Sequence, residues 1–563
     1  MDESSICREA AYSEQYADYI LDTGGNIEAF RRKYEPDCIQ QIDGSFVTIY
    51  NNIQRTGIIS FEKYGYGAVP KCFGLCDTQS VEATGALKLR RRGTFELDGT
   101  GVLVGIVDTG IDYTNPLFRY TDGSTRIQYI WDQEDRTGTP PEGIYYGSEY
   151  NREDINAALQ SETPKNLIPV DELSYHGSFL AAIVAGNESK ENDFTGIVPR
   201  AELLVVKVKS AKQNLRQFYG IAASVPCFQE NDIMMGMRYL REKAARLRKP
   251  IVILLGMGSN SGSHSGLTPI GNMINRLGNI SGVCIVGAAG NETNYGHHYY
   301  GVIGGNQEDV MELNVEKDSA MTVEIWTDAI GALSVGIISP DGEFSGRIPI
   351  RTYEQRIEFV FQRTKIYVFY ERVEYYSGDE VIILRMQDLE EGIWKISVTN
   401  IEEEETRFHS WMPMREFVKN SRFLRPNPDT LICNPGNAYQ IITAAAYDYR
   451  DDSIFVNSSR GFTANYGVKP DLAAPGVNVY GPVSDLRYGR RSGTSIAAAH
   501  TAGVSAMLLQ WGIVQQNNLG MNTITVKNYL IRGARRENLV IPDRSFGWGI
   551  LDIYSTFESL KTY

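Results

Sequence analysis

Ser495 stands near the head of Ser492-Gly493-Thr494-Ser495-Ile496-Ala497-Ala498-Ala499-His500-Thr501-Ala502-Gly503. A glycine and two hydroxyl residues lead here into an apolar run that continues through Trp511. So apolar a run predicts a buried helix. A helix N-terminus carries unpaired N–H groups and a partial positive charge, and both stabilise negative charge on an oxygen beside Ser495. Serine and threonine are also ordinary helix caps. Ser495 therefore does chemistry only if the chain supplies a base, an orienting group and an oxyanion hole.

Only six histidines are available as a base. His176, in Tyr175-His176-Gly177-Ser178, opens the apolar segment Phe179–Val184 at an element end, whereas His500 falls inside the buried run and reads as a packed core residue. Asp108 closes the apolar run Gly101–Val107 and precedes Thr109-Gly110-Ile111-Asp112. At the carboxyl end of a strand in an open α/β sheet, such a side chain faces the ligand crevice. Asn291, in Ala288-Ala289-Gly290-Asn291, follows another buried strand and offers an amide donor to the same crevice. Each residue alone reads as a cap or turn. Together they form an ordered set: Asp, His, amide Asn, then Ser.

The elements that must position them alternate. Strand-length apolar runs at 101–107, 203–208, 251–255 and 283–287 are separated by helical segments such as Phe179–Ala185 and Asn231–Leu247, which predicts a doubly wound parallel sheet. From 305 to 415 short strands dominate, with turn signals at Pro340-Asp341-Gly342 and Ser377-Gly378-Asp379, which predicts an inserted all-β sandwich or jelly roll. The α/β pattern resumes with a strand at Gln440–Ala445. Residues 1–79 read as a separate α+β unit, with a helix at Ile27–Lys33 capped by Asn26 and strands at 46–50 and 58–61.

The bulk properties narrow the function classes. A net charge of −14 over 563 residues argues against nucleic acid or an anionic membrane as the main partner. The acidic start Met1-Asp2-Glu3 is not a secretory signal, which predicts a cytoplasmic origin. Seven scattered cysteines predict free thiols in a reducing compartment. No stretch has an EF-hand ligand spacing, and neither a metal nor a cofactor is expected. Arg90-Arg91-Arg92-Gly93 reads as a solvated loop.

The order Asp, His, Ser is that of subtilisin-type proteases. Val107-Asp108-Thr109-Gly110, His176-Gly177-Ser178, Ala288-Ala289-Gly290-Asn291 and Gly493-Thr494-Ser495 with its following helix resemble the motifs of the subtilase superfamily. The resemblance implies Ser495 as nucleophile, His176 as general base and then acid, Asp108 as its orienter, and Asn291 with the Ser495 N–H as the oxyanion hole. It implies Gly256-Met257-Gly258 and Ala288-Ala289-Gly290 as walls of the specificity pocket, and the segment around Ser210 as the opposing edge that grips substrate backbone. The sequence departs from the family pattern at Tyr175, usually glycine, at Ser178, usually threonine, and at Ala499, usually proline. Tyr175 is placed where it could narrow the cleft. An α/β-hydrolase elbow is disfavoured, because Gly493-Thr494-Ser495-Ile496-Ala497 lacks the second glycine.

Trp131-Asp132-Gln133, Gln229–Met234 and Tyr529–Arg535 are similar to stretches of the Csp-type subtilases of spore-forming Clostridia. That group implies four parts: a prodomain over 1–79, the catalytic domain over 80–304 and 416–563, and a jelly roll over 305–415. It further implies self-cleavage near Thr78-Gln79-Ser80, a prodomain that stays bound after the cut, a spore association, and a protein substrate such as the zymogen of a cortex-lytic enzyme. The alternative it carries is a catalytically silent subtilase-fold protein that binds or signals. The complete triad favours the enzyme.

Overall fold

The computed structural model describes residues 3–75, 82–90, 95–172, 174–328, 331–484 and 487–560. Its centre is a nine-stranded sheet. The strands run in the order Ser453–Ile454, Ile442–Asp448, Val283–Ala288, Ile251–Leu255, Leu103–Asp108, Glu202–Lys207, Ile127–Asp132 and Ser148–Asn151, with Leu472–Pro475 also paired to Ile442–Asp448. Leu103–Asp108 is parallel to both of its neighbours, and all its residues are buried, which is why it reads as an unbroken apolar run. The register aligns Val107 with Leu255, and Leu255 with Gly287. The next residues, Asp108, Gly256 and Ala288, therefore lie side by side at the carboxyl end of the sheet.

Helices cover both faces. His176–Ala185 and Thr494–Leu509 share one core with Val104, Ile106, Val252 and Leu254. Glu230–Leu247 and Pro269–Leu277 cover the other face, packing on Leu103, Val107 and Leu204. Every residue of Thr494–Leu509 is buried. The segment Thr494–Val514 is long and apolar enough to cross a membrane, yet 89% of its apolar window is covered by the protein itself.

The N-terminal unit is a three-stranded antiparallel sheet of Tyr16–Asp22, Phe46–Asn52 and Cys38–Gln41 with helices Glu3–Ala10 and Ile27–Tyr34. Asn26 caps the second helix by accepting from the Ala29 N–H. Residues 58–61 are not a strand: Ile58 is exposed, while Ile59 and Phe61 anchor an irregular loop on a shared core. A disulfide joins Cys7 and Cys38, Cα atoms 5.2 Å apart, which corrects the expectation of free thiols throughout. Their separation of 31 residues hid the pairing, which exists only because the first helix packs against the strand Cys38–Gln41. Cys72, Cys227 and Cys284 are free and buried, and Cys433 is also buried.

The β insertion is two antiparallel sheets, six- and five-stranded, around one core. Its strands begin at His298–Ile303 and end at Arg422–Phe423, so it reaches past both sequence boundaries of 305 and 415. Trp326, Phe369, Val381, Ile383 and Trp411 of this insertion share a core with Tyr19, Ile49 and Phe61 of the N-terminal unit and with Leu215 and Phe218. The N-terminal unit is thus held from two sides.

Candidate active site

His176 bridges the other two residues of the set. Its Nδ1 lies 2.7 Å from Asp108 Oδ1, and its Nε2 lies 3.2 Å from Ser495 Oγ. All three are buried: Asp108 and Ser495 are 0% exposed and His176 is 3% exposed. Asp108 is fixed where its strand ends, and its Oδ1 also accepts from the Thr109 N–H at 2.8 Å. An acceptor on Nδ1 holds the proton there and leaves the Nε2 lone pair toward Ser495.

Asn291 is oriented by Thr494. Its Oδ1 accepts from the Thr494 N–H at 3.1 Å and from the Thr494 hydroxyl at 3.2 Å. The backbone N–H makes that assignment unambiguous, because only a carbonyl oxygen can accept from it. With Oδ1 engaged by Thr494, the amide N–H₂ is the group Asn291 has left to offer the cavity that it lines together with His176. A donor there, beside Ser495 at the start of a long helix, is a place for an oxyanion.

The closeness of the parts explains the glycines. A Cβ on Gly256 would come within 2.6 Å of Asp108 Oδ2 and of Leu180 Cδ1, and 3.2 Å from His176 Cε1. A Cβ on Gly290, which has φ of +103°, would meet Cys433 Sγ at 2.3 Å. Cys433 also sits 3.0 Å from the Cβ position of Gly258. The expected walls 256–258 and 288–290 therefore face each other with Cys433 between them, a residue the sequence did not single out.

The structure places a strand of this same chain in the groove. Cys72–Leu75 pairs antiparallel with Met257–Gly258 on one side and with Phe228–Gln229 on the other. The edge opposite Met257–Gly258 across this strand is Phe228–Gln229, and the segment around Ser210 does not pair with it. Ser210 is exposed, makes one bridge to Phe228 from behind, and donates its N–H to Glu134. The segment 212–227 returns Phe228 to the groove, a tertiary detour that local spacing does not reveal. Thr78, Gln79 and Ser80, where self-cleavage is expected, lie outside the described residues.

Sequence reasoning also missed Glu172. Its carboxylate accepts from the Gly177 N–H at 2.5 Å, the Ser178 N–H at 3.1 Å, the Ser178 hydroxyl at 2.5 Å and the Thr109 hydroxyl at 2.5 Å. It caps the helix that begins at His176 and ties it to the residue after Asp108. Burial pushes this carboxyl up to about 7; the charge of Asp108 adds to the rise, and the bonds from Ser178 and Thr109 oppose it. Ser178 gains its purpose from the same cluster, since it also accepts from the Asp112 N–H at 2.7 Å. Tyr175 does not narrow the cleft: its ring is buried, and its hydroxyl is held by Asp112 and Asn115. His500 is a core histidine with its Nδ1 2.8 Å from the Ile496 carbonyl.

The chain is similar to known proteins in sequence and in fold. The sequence matches the Subtilase family (Peptidase_S8) over 99–364 and 416–549. A solved structure of the Clostridium perfringens CspB protease superposes with a TM-score of 0.76 at 28% identity, covering 86% of this chain and 98% of that one. C5a peptidase of Streptococcus pyogenes is 23% identical over 446 residues, and a PII-type proteinase of Lacticaseibacillus paracasei is 23% identical over 533. The matches cover 35% and 26% of those two relatives, so the chain spans about a third of their length or less.

Proposed function

Because the chain belongs to the subtilase family, we propose that it is a serine endopeptidase that first cuts its own N-terminal unit free and then processes a specific protein. The observation that carries this reading is the single imidazole of His176 set between Asp108 and Ser495 at hydrogen-bond distances. Ser495 Oγ attacks the peptide carbonyl carbon as His176 Nε2 takes its proton. Asp108 holds the Nδ1 proton and stabilises the imidazolium. The Asn291 amide and the Ser495 N–H receive the oxyanion. The imidazolium then protonates the departing amine, and a water molecule repeats the sequence in reverse on the acyl-enzyme.

The strand Cys72–Leu75 supports residues 1–79 as a prodomain. It lies in the groove as a substrate would, and the chain continues from Leu75 into the segment that holds Thr78-Gln79-Ser80. The disulfide-closed sheet, seated on two cores and on the β insertion, supports retention of the unit after the cut. Similarity to the CspB protease supports a Csp-like role, in which the protein substrate is a zymogen of spore germination.

The test compares wild type with Ser495→Ala by intact mass and by labelling with a fluorophosphonate. Self-cleavage and labelling in wild type alone are expected. Equal masses for the two proteins would end the self-processing reading, and absence of labelling after release of the N-terminal unit would turn the chain into a silent binding protein.

A further inference from the structure

On the side of His176 away from the groove strand lies a cavity of about 420 Å³, bounded by Ser174, His176, Asn291, Tyr295, Arg415 and Arg491. The acyl side of a substrate is fixed by the other boundary. Residues 72–75 run antiparallel to Met257–Gly258, and at Gly256, the next residue on that edge, an added Cβ would lie 3.2 Å from His176 Cε1. A substrate that follows this strand reaches the triad there, and what lies beyond the scissile bond enters the cavity, none of whose lining comes from 256–258 or 228–229.

The cavity carries an unusual charge for this protein. The chain has 55 Lys and Arg against 69 Asp and Glu, yet two guanidiniums flank this one opening. Arg491 is half-buried and held in place by its Nη2, which donates to the Ser174 carbonyl at 3.0 Å and to the Val483 carbonyl at 3.3 Å. Arg415 lies with its guanidinium 4.4 Å from the centroid of Tyr295. Its backbone N–H is anchored on Glu292 at 3.1 Å, and Glu292 is itself held by His297 at 2.9 Å. One group of opposite sign shares the opening, Glu416. Burial, and then the neighbouring charge of Glu292, push its carboxyl up to about 7, so it offsets at most one of the two cations around neutral pH.

We propose that this cavity is the leaving-side recognition pocket of the protease, and that it selects substrates carrying a carboxylate side chain at the first or second position after the scissile bond. This rests on the endopeptidase reading above. The planar forks of two arginines suit a carboxylate in a way that lysine or neutral donors would not.

The experiment uses the full-length, self-processed enzyme and quenched peptides that share the acyl side Val69–Gln79. Asp, Asn or Lys is varied at each of the next two positions. A p-nitroanilide with the same acyl side runs in parallel and reports acylation without any leaving-side residue. At one position, kcat/KM for Asp is expected to exceed that for Asn by about tenfold and that for Lys by more, and the Asp/Asn ratio is expected to shrink at high salt. In Arg415→Glu, the exposed member of the pair, the Asp/Asn ratio should fall to one or below and the Lys peptide should gain. Cleavage of the p-nitroanilide with Asp/Asn ratios within about twofold of one at both positions would overturn this proposal alone. No cleavage of either substrate type would overturn it together with the endopeptidase reading.

Discussion

Ser178 donates its hydroxyl to the Glu172 carboxylate at 2.5 Å, and through that bond the start of the His176 helix is fastened to a buried acid. Glu172 is a positioning residue, because it touches the helix and Thr109 rather than the reacting atoms. Its folded pKa of about 7 lies above the ordinary 4.5, so the native state binds the extra proton between those values. The stability this group contributes is complete below about 4.5 and is lost as pH rises through about 7. Glu172→Gln should remove that dependence. The melting temperature of wild type minus that of Glu172→Gln is expected to fall between about pH 5 and pH 8, measured by calorimetry on Ser495→Ala backgrounds to suppress self-digestion.

Asp108→Asn should leave the fold intact and lower kcat by about 10⁴, because an amide facing Nδ1 favours the wrong tautomer of His176. The change is isosteric, and with the amide nitrogen toward Nδ1 the Thr109 N–H loses the acceptor it has in Asp108 Oδ1. Steady-state kinetics with a short peptide substrate, together with a circular dichroism spectrum equal to wild type, checks this.

Asn291→Leu removes the amide donor and the acceptor for Thr494 together. A loss of about 10²–10³ in kcat is expected, with KM changed little, since the oxyanion forms only on the way to the acyl-enzyme. A large rise in KM with unchanged kcat would show that Asn291 binds the ground state instead.

Gly256→Ala should be far more damaging than its single methyl suggests. The added carbon would lie 2.6 Å from Asp108 Oδ2 and from Leu180 Cδ1, and both are packed on rigid elements. Either the Asp108–His176 pair or the strand edge must shift, and a displacement near 1 Å costs about 10²-fold in rate. Fluorophosphonate labelling of Ser495 should slow in parallel.

Asp18→Asn tests the hold on the N-terminal unit. Lys212 Nζ lies 2.5 Å from Asp18 Oδ1, both 3% exposed, and Gln229 donates to Asp18 Oδ2 at 3.1 Å. Removing one partner of a buried pair leaves the other charge uncompensated, at about 3–5 kcal/mol. After self-cleavage the fragment should separate from the enzyme on gel filtration under conditions where the wild-type fragment co-elutes.

The triad, the oxyanion amide and the parallel strands were legible because each rests on local pattern. Buried parallel strands read as apolar runs, and their ends carry the polar residues that face the crevice. Tyr175 shows why one departure from the family pattern misleads. The residue sits at φ of +56°, in the left-handed region that suits glycine, so the family's usual glycine reflects backbone conformation rather than an open cleft. Tyr175 accepts that strain while its hydroxyl bonds to Asp112 and Asn115 inside the protein.

What the sequence by itself determined is a set of residues, Asp108, His176, Asn291 and Ser495 in subtilase order, with an alternating α/β chain to carry them. Only the tertiary structure decided which edges pair with the strand Cys72–Leu75, that Glu172 caps the helix of His176, that Cys7 and Cys38 are joined, and that Arg415 and Arg491 face one cavity. Arg415 and Arg491 come from segments 76 residues apart in the chain, and Phe228 reaches the groove only after a long excursion. Residue type and short spacing encode what a side chain can do and which local element carries it. They do not encode which distant side chains meet, because that is set by the packing of whole elements around shared cores.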